Sequence, residues 1–197
     1  MLKSVCPFLL LLSLAACGRS VPDTCYLLES AVPPLVVDQL PACSLRIARV
    51  SLPEYLDRRG IVSRSDSQGR LEIAQFHVWA EPLDQNVRRV VQEGLMHLLL
   101  SKGITVQSTG DETVGDFTLL LDVRRLDGAV GGMAVLQIQW TFKNKRDDIL
   151  GRGMYADEEP VSGNDHGALV LAQSRLVRHM TEHLAKVLVP LLEKERV

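Results

Sequence analysis

The sequence predicts an α/β fold of the α+β kind: a single domain with a mixed, mainly antiparallel sheet and two long amphipathic helices packed on it. Two observations carry this. Two stretches repeat apolar residues at three- and four-residue intervals, the period of one helix face. Several shorter stretches alternate apolar and polar residues, the period of a strand with one buried side. The chain has 197 residues, 46% hydrophobic and 23% charged, enough for one core and ordinary in balance.

Taken in order, Gly18 to Asp23 is short and polar and reads as a tether. Tyr26-Leu27-Leu28 is a first short strand, followed by a loop containing Pro33, Pro34 and Pro41, which cannot join a central sheet. Leu45 to Leu52 is a strand rich in branched residues that Pro53 ends, and Glu54 to Gly60 is a charged turn. Ile61 to Arg64 is a short strand and Asp66 to Gly69 a turn. Leu71 to Trp79 is a strand with bulky residues at Leu71, Ile73 and Trp79. After Pro82 the period changes: Val87, Val90, Val91, Leu95, Leu98 and Leu99 form one helix face opposite Arg88, Arg89, Gln92 and Glu93, and Gly103 stops the helix. Ile104 to Gln107 is a strand. Phe117, Leu119, Leu121 and Val123 alternate, as do Ala134, Leu136, Ile138, Trp140 and Phe142 beyond a glycine turn, which makes an antiparallel hairpin. Asn144 to Asp148 turns the chain again, and Ile149 to Ala156 returns as the third strand of a meander. Asn164 or Asp165 caps a last helix with the stripe Leu169, Ala172, Leu176, Met180, Leu184, Val187, Leu188 and Leu191, kinked or ended near Pro190.

The first sixteen residues stand outside the predicted fold. Lys3 gives a positive n-region, Val5 to Leu14 an apolar stretch, and Leu14-Ala15-Ala16 leads to Cys17, the pattern of a secretory signal. The apolar stretch falls short of the roughly 20 residues that a spanning helix needs. Leu14-Ala15-Ala16-Cys17 resembles the bacterial lipobox, in which the cysteine thiol becomes a diacylglyceryl thioether and then the new N-terminus. Several acyl chains at about 0.8 kcal/mol per buried methylene hold a protein firmly to a bilayer. The expected division is therefore residues 1–16 signal peptide, 17–24 lipidated tether and 25–197 periplasmic domain. Gly18, rather than Asp, follows Cys17, which by the sorting rule of such lipoproteins sends the protein to the outer membrane.

Cys25 and Cys43 would then lie in an oxidising compartment, where thiols tend to pair, and a disulfide between them is expected. The formal charge of −2, from 22 basic and 24 acidic residues, argues against nucleic acid as a partner, because phosphate neutralisation needs surplus cations. With 5% aromatic residues, no base-stacking platform is indicated either.

The string His179-Met180-Thr181-Glu182-His183 matches the H-x-x-E-H pattern of inverted zinc peptidases. Met180 and Leu184 belong to the apolar stripe, however, and the only downstream carboxylates are Glu193 and Glu195, too near the end of the helix to return over the histidines. A structural role is the expectation. No G-x-S-x-G elbow or phosphate-binding glycine loop occurs. His77, His97 and His166 are scattered over a strand, a helix and a loop. No enzyme, cofactor or metal is expected.

Around the first helix stand Val50-Ser51-Leu52-Pro53-Glu54-Tyr55-Leu56, Ile61-Val62 and Trp79-Ala80-Glu81-Pro82-Leu83-Asp84, preceded by Tyr26-Leu27-Leu28 and followed by a Leu-x-Val strand ending near Asp127-Gly128. In this order behind a lipobox, they resemble the auxiliary lipoproteins of ABC-type transport systems (PqiC-like, serving MCE-type lipid transport), from about Tyr26 to Leu192. Cys25 and Cys43 depart from the family pattern. The resemblance implies an outer-membrane-anchored, periplasm-facing docking component, working with an MCE-domain protein, a permease and an ATPase to move phospholipid or another apolar molecule, and in some members a ring-shaped homo-oligomer. Tyr55, Trp79 and Pro82 are the candidate partner or subunit contacts, since aromatic anchors carry much interface energy. A different reading, a shuttle with an acyl chain in its own pocket, requires a cavity lined by Leu95, Leu98, Leu99, Phe117 and Trp140, which the helix and strand periods instead place in a packed core.

Overall fold

The computed structural model describes residues 21–30, 43–65, 69–107 and 115–195. In chain order its elements are β1 (Thr24–Tyr26), β2 (Cys43–Ile47), β3 (Gly60–Arg64), β4 (Leu71–Trp79), α1 (Leu83–Leu100), β5 (Ile104–Val106), β6 (Phe117–Gly128), β7 (Met133–Asn144), β8 (Ile149–Pro160) and α2 (His166–Glu195). The α+β class and the two helices are as the periodicities predict.

The strands form two sheets rather than the single one expected: a three-stranded sheet ordered β1-β4-β3 and a five-stranded sheet ordered β5-β2-β6-β7-β8. The chain leaves the larger sheet gradually. Beyond β2 it still follows β6, with the Ala48 amide donating to Leu119 O and the Ser51 amide to Leu121 O, each at 2.9 Å. Pro53, which has no amide hydrogen, then ends the pairing, and the charged turn carries the chain off to start the β3–β4 hairpin as a separate unit. β6, β7 and β8 make the predicted antiparallel meander, with Leu121 opposite Trp140 and Trp140 opposite Gly153. β2 runs parallel to both of its neighbours, and β1 runs parallel to β4 with Thr24 opposite His77.

The core lies between the inner face of the meander and the two helices. Leu119, Leu121, Leu136, Ile138 and Phe142 are buried against Leu169, Ala172, Leu176, Met180, Leu184 and Leu188. Trp140 needs room, and β8 supplies it with glycine: a Cβ at Gly153 would stand 2.9–3.1 Å from the indole. The helices also meet closely, since a Cβ at Gly94 would lie 2.7 Å from Thr181 Cγ2. Of the two cap candidates, Asp165 does the work, its Oδ1 accepting from the Ala168 amide at 2.7 Å. Of the two expectations at Pro190, a kink or an end, the helix does not end there: α2 continues through Pro190 to Glu195. Pro190 is exposed while Leu188 and Leu192 on either side are buried, so packing offsets the one backbone bond the proline removes.

Two further expectations are corrected. The first strand is Thr24–Tyr26 rather than Tyr26-Leu27-Leu28. Leu71 and Ile73, whose alternation suggests a buried face, are exposed, because no element among the described residues covers the first part of β4.

Candidate functional site

Cys17, the signal and the lipobox lie outside the described residues. The fold does describe where the chain that follows them joins the body. Leu28 is buried, and its amide donates to Asn86 Oδ1 on α1 at 3.1 Å. Arg89, one turn further along α1, donates from Nη2 to both the Leu28 carbonyl and Asn86 Oδ1, and from Nε to Glu81 at 3.0 Å. The next amide, of Glu29, donates to Ser174 Oγ on α2 at 3.1 Å. Two consecutive residues are thus fastened to both helices by buried or half-buried polar side chains. Asn86 and Ser174 sit on the helix faces where apolar residues would be expected, and that is the signal by which they could have been found.

The expected Cys25–Cys43 bridge does not form. Cys25 is exposed on β1 of the small sheet and Cys43 is buried on β2 of the large one, and the two are not joined.

Of the candidate contacts, Trp79 is 5% exposed and belongs to the core, while Pro82 is exposed just before α1. Both border an open groove of about 360 Å³ together with Asp57, Arg58, Arg59 and Glu81. Tyr55 is half-buried in the preceding turn, and its hydroxyl donates to Asp127 Oδ2 at 2.8 Å.

Asp127 is the centre of a cluster that sequence reasoning missed. Its side chain is 0% exposed and accepts from Arg64 Nε at 2.7 Å and Nη2 at 3.0 Å, and from Arg125 Nε at 2.9 Å, besides Tyr55. Burial raises the Asp127 pKa, but the hydrogen bonds from Arg64, Tyr55 and Arg125 outweigh it and hold the carboxyl below its ordinary range. The Tyr55 hydroxyl is pushed up, by burial first and then by its bond to Asp127. The cluster ties β3 and the 53–59 turn to β6, so it positions the wall of the groove. Asp127-Gly128 reads locally as a turn, and nothing in its neighbourhood announces Arg64 as a partner.

The histidines, scattered in sequence, are partly gathered. His77 on β4 stacks on His166 at the start of α2, with ring centroids 4.3 Å apart, and shares a 2.9 Å hydrogen bond with Tyr26 Oη. In the H-x-x-E-H string, His179 pairs with Asp157 at 3.3 Å while His183 packs on the Tyr155 ring. The two imidazoles are thus engaged with different groups of β8. Among the described residues, no group of three or more His, Cys, Asp or Glu side chains is placed to hold a metal ion. Leu95, Leu99, Phe117 and Trp140 are buried in the core and Leu98 is exposed, so they line no common cavity. A space of about 140 Å³ between the helices, bordered by Ser30, Gly94, His97 and Thr181, lies below the roughly 300–1,000 Å³ of ordinary ligand pockets. No helix among the described residues is long and apolar enough to cross a membrane.

Residues 26–185 match the family described as "ABC-type transport auxiliary lipoprotein component". Curated relatives named "Intermembrane transport lipoprotein PqiC", from Escherichia coli strain K12 and from Shigella flexneri, are each 27% identical over 101 residues, 51% of this chain and 52% of theirs. The match therefore spans about half the length of these relatives. Among solved structures, a protein from Xanthomonas campestris aligns with a TM-score of 0.69 and 19% identity, over 88% of this chain and 98% of its own. An uncharacterized protein aligns with the same TM-score and 21% identity, over 85% of this chain and 99% of its own. At these identities the likeness speaks for the fold.

Proposed function

We propose that this chain, which belongs to the ABC-type transport auxiliary lipoprotein family, is the docking component of an MCE-type phospholipid transport system. In this reading acylated Cys17 holds it at the outer membrane facing the periplasm. Its folded body receives an MCE-domain protein that works with a permease and an ATPase. The observation that carries the reading is the fastening of Leu28 and Glu29 to both helices. A component that positions a partner relative to a bilayer must transmit the position of its anchor to its body, and the chain after β1, fastened to Asn86, Arg89 and Ser174 at Leu28 and Glu29, joins the N-terminal segment to both helices.

The packed core favours docking over carriage. An acyl chain needs an apolar cavity to enter, and Leu95, Leu99, Phe117 and Trp140 are buried members of one packed core. The groove beside Trp79 and Pro82, framed by Arg58, Arg59 and Glu81, is open and mixed in polarity, as partner contacts commonly are.

Cross-linking in the intact envelope followed by pull-down tests the reading. Recovery of an MCE-domain protein supports it, and its absence from cross-linked material overturns it. Native mass spectrometry of the purified protein separates docking from carriage, since co-purified phospholipid in stoichiometric amount is expected only of a carrier.

A further inference from the structure

The first part of β4 breaks the usual rule for a strand. Over Leu71–Phe76 nearly every residue is exposed, although Leu71, Ile73 and Phe76 are large and apolar, with Ile73 at 53% exposure. Scattered exposed apolar side chains need no explanation, but Leu71 and Ile73 share one face of a hairpin whose other strand is buried, and exposed Phe76 follows where the β3–β4 register shifts between Ile73 and Val78. One edge of this stretch is also without a neighbour among the described residues, since β1 pairs only with His77, Val78 and Trp79.

The direction of the chain says what this surface faces. Because β1 runs parallel to β4, the chain enters the small sheet from the Leu71 side, and Val21, itself exposed, precedes β1 there. Cys17 stands four residues before Val21, a reach of no more than roughly 14 Å even when fully extended. A lipid on Cys17 therefore keeps Val21 within that distance of the bilayer, and Val21 enters the small sheet on the side where Leu71–Phe76 lies. By contrast Ile149 and Met154, also exposed, lie on β8 at the far edge of the other sheet.

We propose that Leu71, Ile73 and Phe76, together with Val21, form a membrane-contacting surface that seats the domain on the lipid interface beside its own anchor. This goes beyond the docking role and rests on that reading only through the acylation of Cys17. Exposed Glu72, which alternates with Leu71 and Ile73, suits a strand lying at the headgroup level, where apolar side chains enter the acyl boundary and polar ones remain hydrated. The consequence is orientation: an acyl anchor alone leaves the body free to swivel, whereas a second contact fixes which face points away from the bilayer.

The test uses the full lipidated chain reconstituted in phosphatidylethanolamine–phosphatidylglycerol vesicles containing phosphatidylcholine brominated near the carbonyl end of its chains. Ile73→Trp and Met154→Trp are compared against the background of buried Trp79 and Trp140. Interfacial groups sit about 5–10 Å into the headgroup–acyl boundary, so the added indole at position 73 is expected to be quenched roughly twofold, and that at position 154 not at all. Hydrogen–deuterium exchange of the unsubstituted protein supplies a second measurement: peptides covering residues 69–78 are expected to exchange more slowly on vesicles than in detergent. Unquenched position 73 with unchanged exchange overturns the proposal, as does protection that persists in detergent and depends on protein concentration, the mark of a second copy on this edge. Mass spectrometry of the N-terminal peptide separates the two readings. An unmodified Cys17 overturns both, and an acylated Cys17 with an unquenched position 73 overturns this surface alone.

Discussion

Asp127 shows how much of the fold one side chain organises. Its carboxylate, closed to solvent, satisfies the Tyr55 hydroxyl and two guanidinium groups that keep part of their own hydration, Arg64 at 25% and Arg125 at 30% exposure. Replacing it with Asn removes the charge and leaves those donors facing a neutral amide. Asp127→Asn is expected to lower stability by about 2–3 kcal/mol in urea unfolding, toward the lower end for a broken buried pair because the arginines are partly solvated. The pH dependence has a definite sign. The folded carboxyl is held below the unfolded value of about 3.9, so its contribution is fully present above that pH and is lost as pH falls through the folded value. The gap between wild type and Asp127→Asn should therefore be constant from pH 5 to 7 and shrink below about pH 4; a gap that widens in acid would contradict the assignment. Trp79 belongs to the same scale. As a buried aromatic it is expected to cost about 3–5 kcal/mol on truncation to Ala, read as a large drop in melting temperature. Loss of partner binding with unchanged melting would instead return it to the contact surface.

At the scale of elements, the two helices meet in a tight joint at Gly94 and Thr181. Gly94→Ala gains about 1 kcal/mol of helix propensity, but the added methyl meets Thr181 Cγ2 at 2.7 Å. Thr181 cannot turn away without breaking the 2.7 Å bond from its Oγ1 to the Val177 carbonyl. The expected net effect is a loss of about 1–2 kcal/mol, recovered in Gly94→Ala/Thr181→Ser, which deletes the methyl and keeps the hydroxyl; thermal unfolding of the single and double variants checks it. This joint illustrates what a sequence makes legible. The α1 stripe and the β6–β7 alternation are local patterns with one buried face each, and both form where predicted. The division into two sheets depends on which distant strands pair, and the exposure of Leu71 and Ile73 depends on whether another element covers them; neither is written in a local period. The fastening residues Asn86 and Ser174 were visible as polar interruptions of helix faces, whereas the Asp127 cluster joins residues 55, 64, 125 and 127 through contacts that only the folded chain brings about.

Across the whole molecule, the small sheet and the long C-terminal helix are joined through the face-to-face contact of His77 and His166. The groups around this contact are Tyr26, whose hydroxyl meets His77 Nδ1, with Asp165 before the helix and Glu72 on β4. Burial lowers the His166 pKa, and the neighbouring His77 lowers it further, while Asp165 and Glu72 act in the opposite direction without reversing the shift. A histidine whose folded value lies below its unfolded value of about 6.5 contributes stability that is present above that pH and is lost as pH falls through the folded value, because the unfolded chain takes up the proton more readily. The protein is therefore expected to melt at a lower temperature at pH 5.5 than at pH 7.5. His166→Phe keeps an aromatic ring against His77 and removes the titrating group, so its melting temperature should change less over the same interval. Since β1 enters the body beside this contact and its next residues are fastened to both helices, acid should loosen the attachment of the N-terminal segment before it unfolds the meander. Hydrogen exchange at pH 5.5 would show this as faster exchange in peptides covering residues 21–30 than in β6 and β7. Equal acid sensitivity of wild type and His166→Phe would place the weakness elsewhere, in the carboxylates paired across α2 and β8.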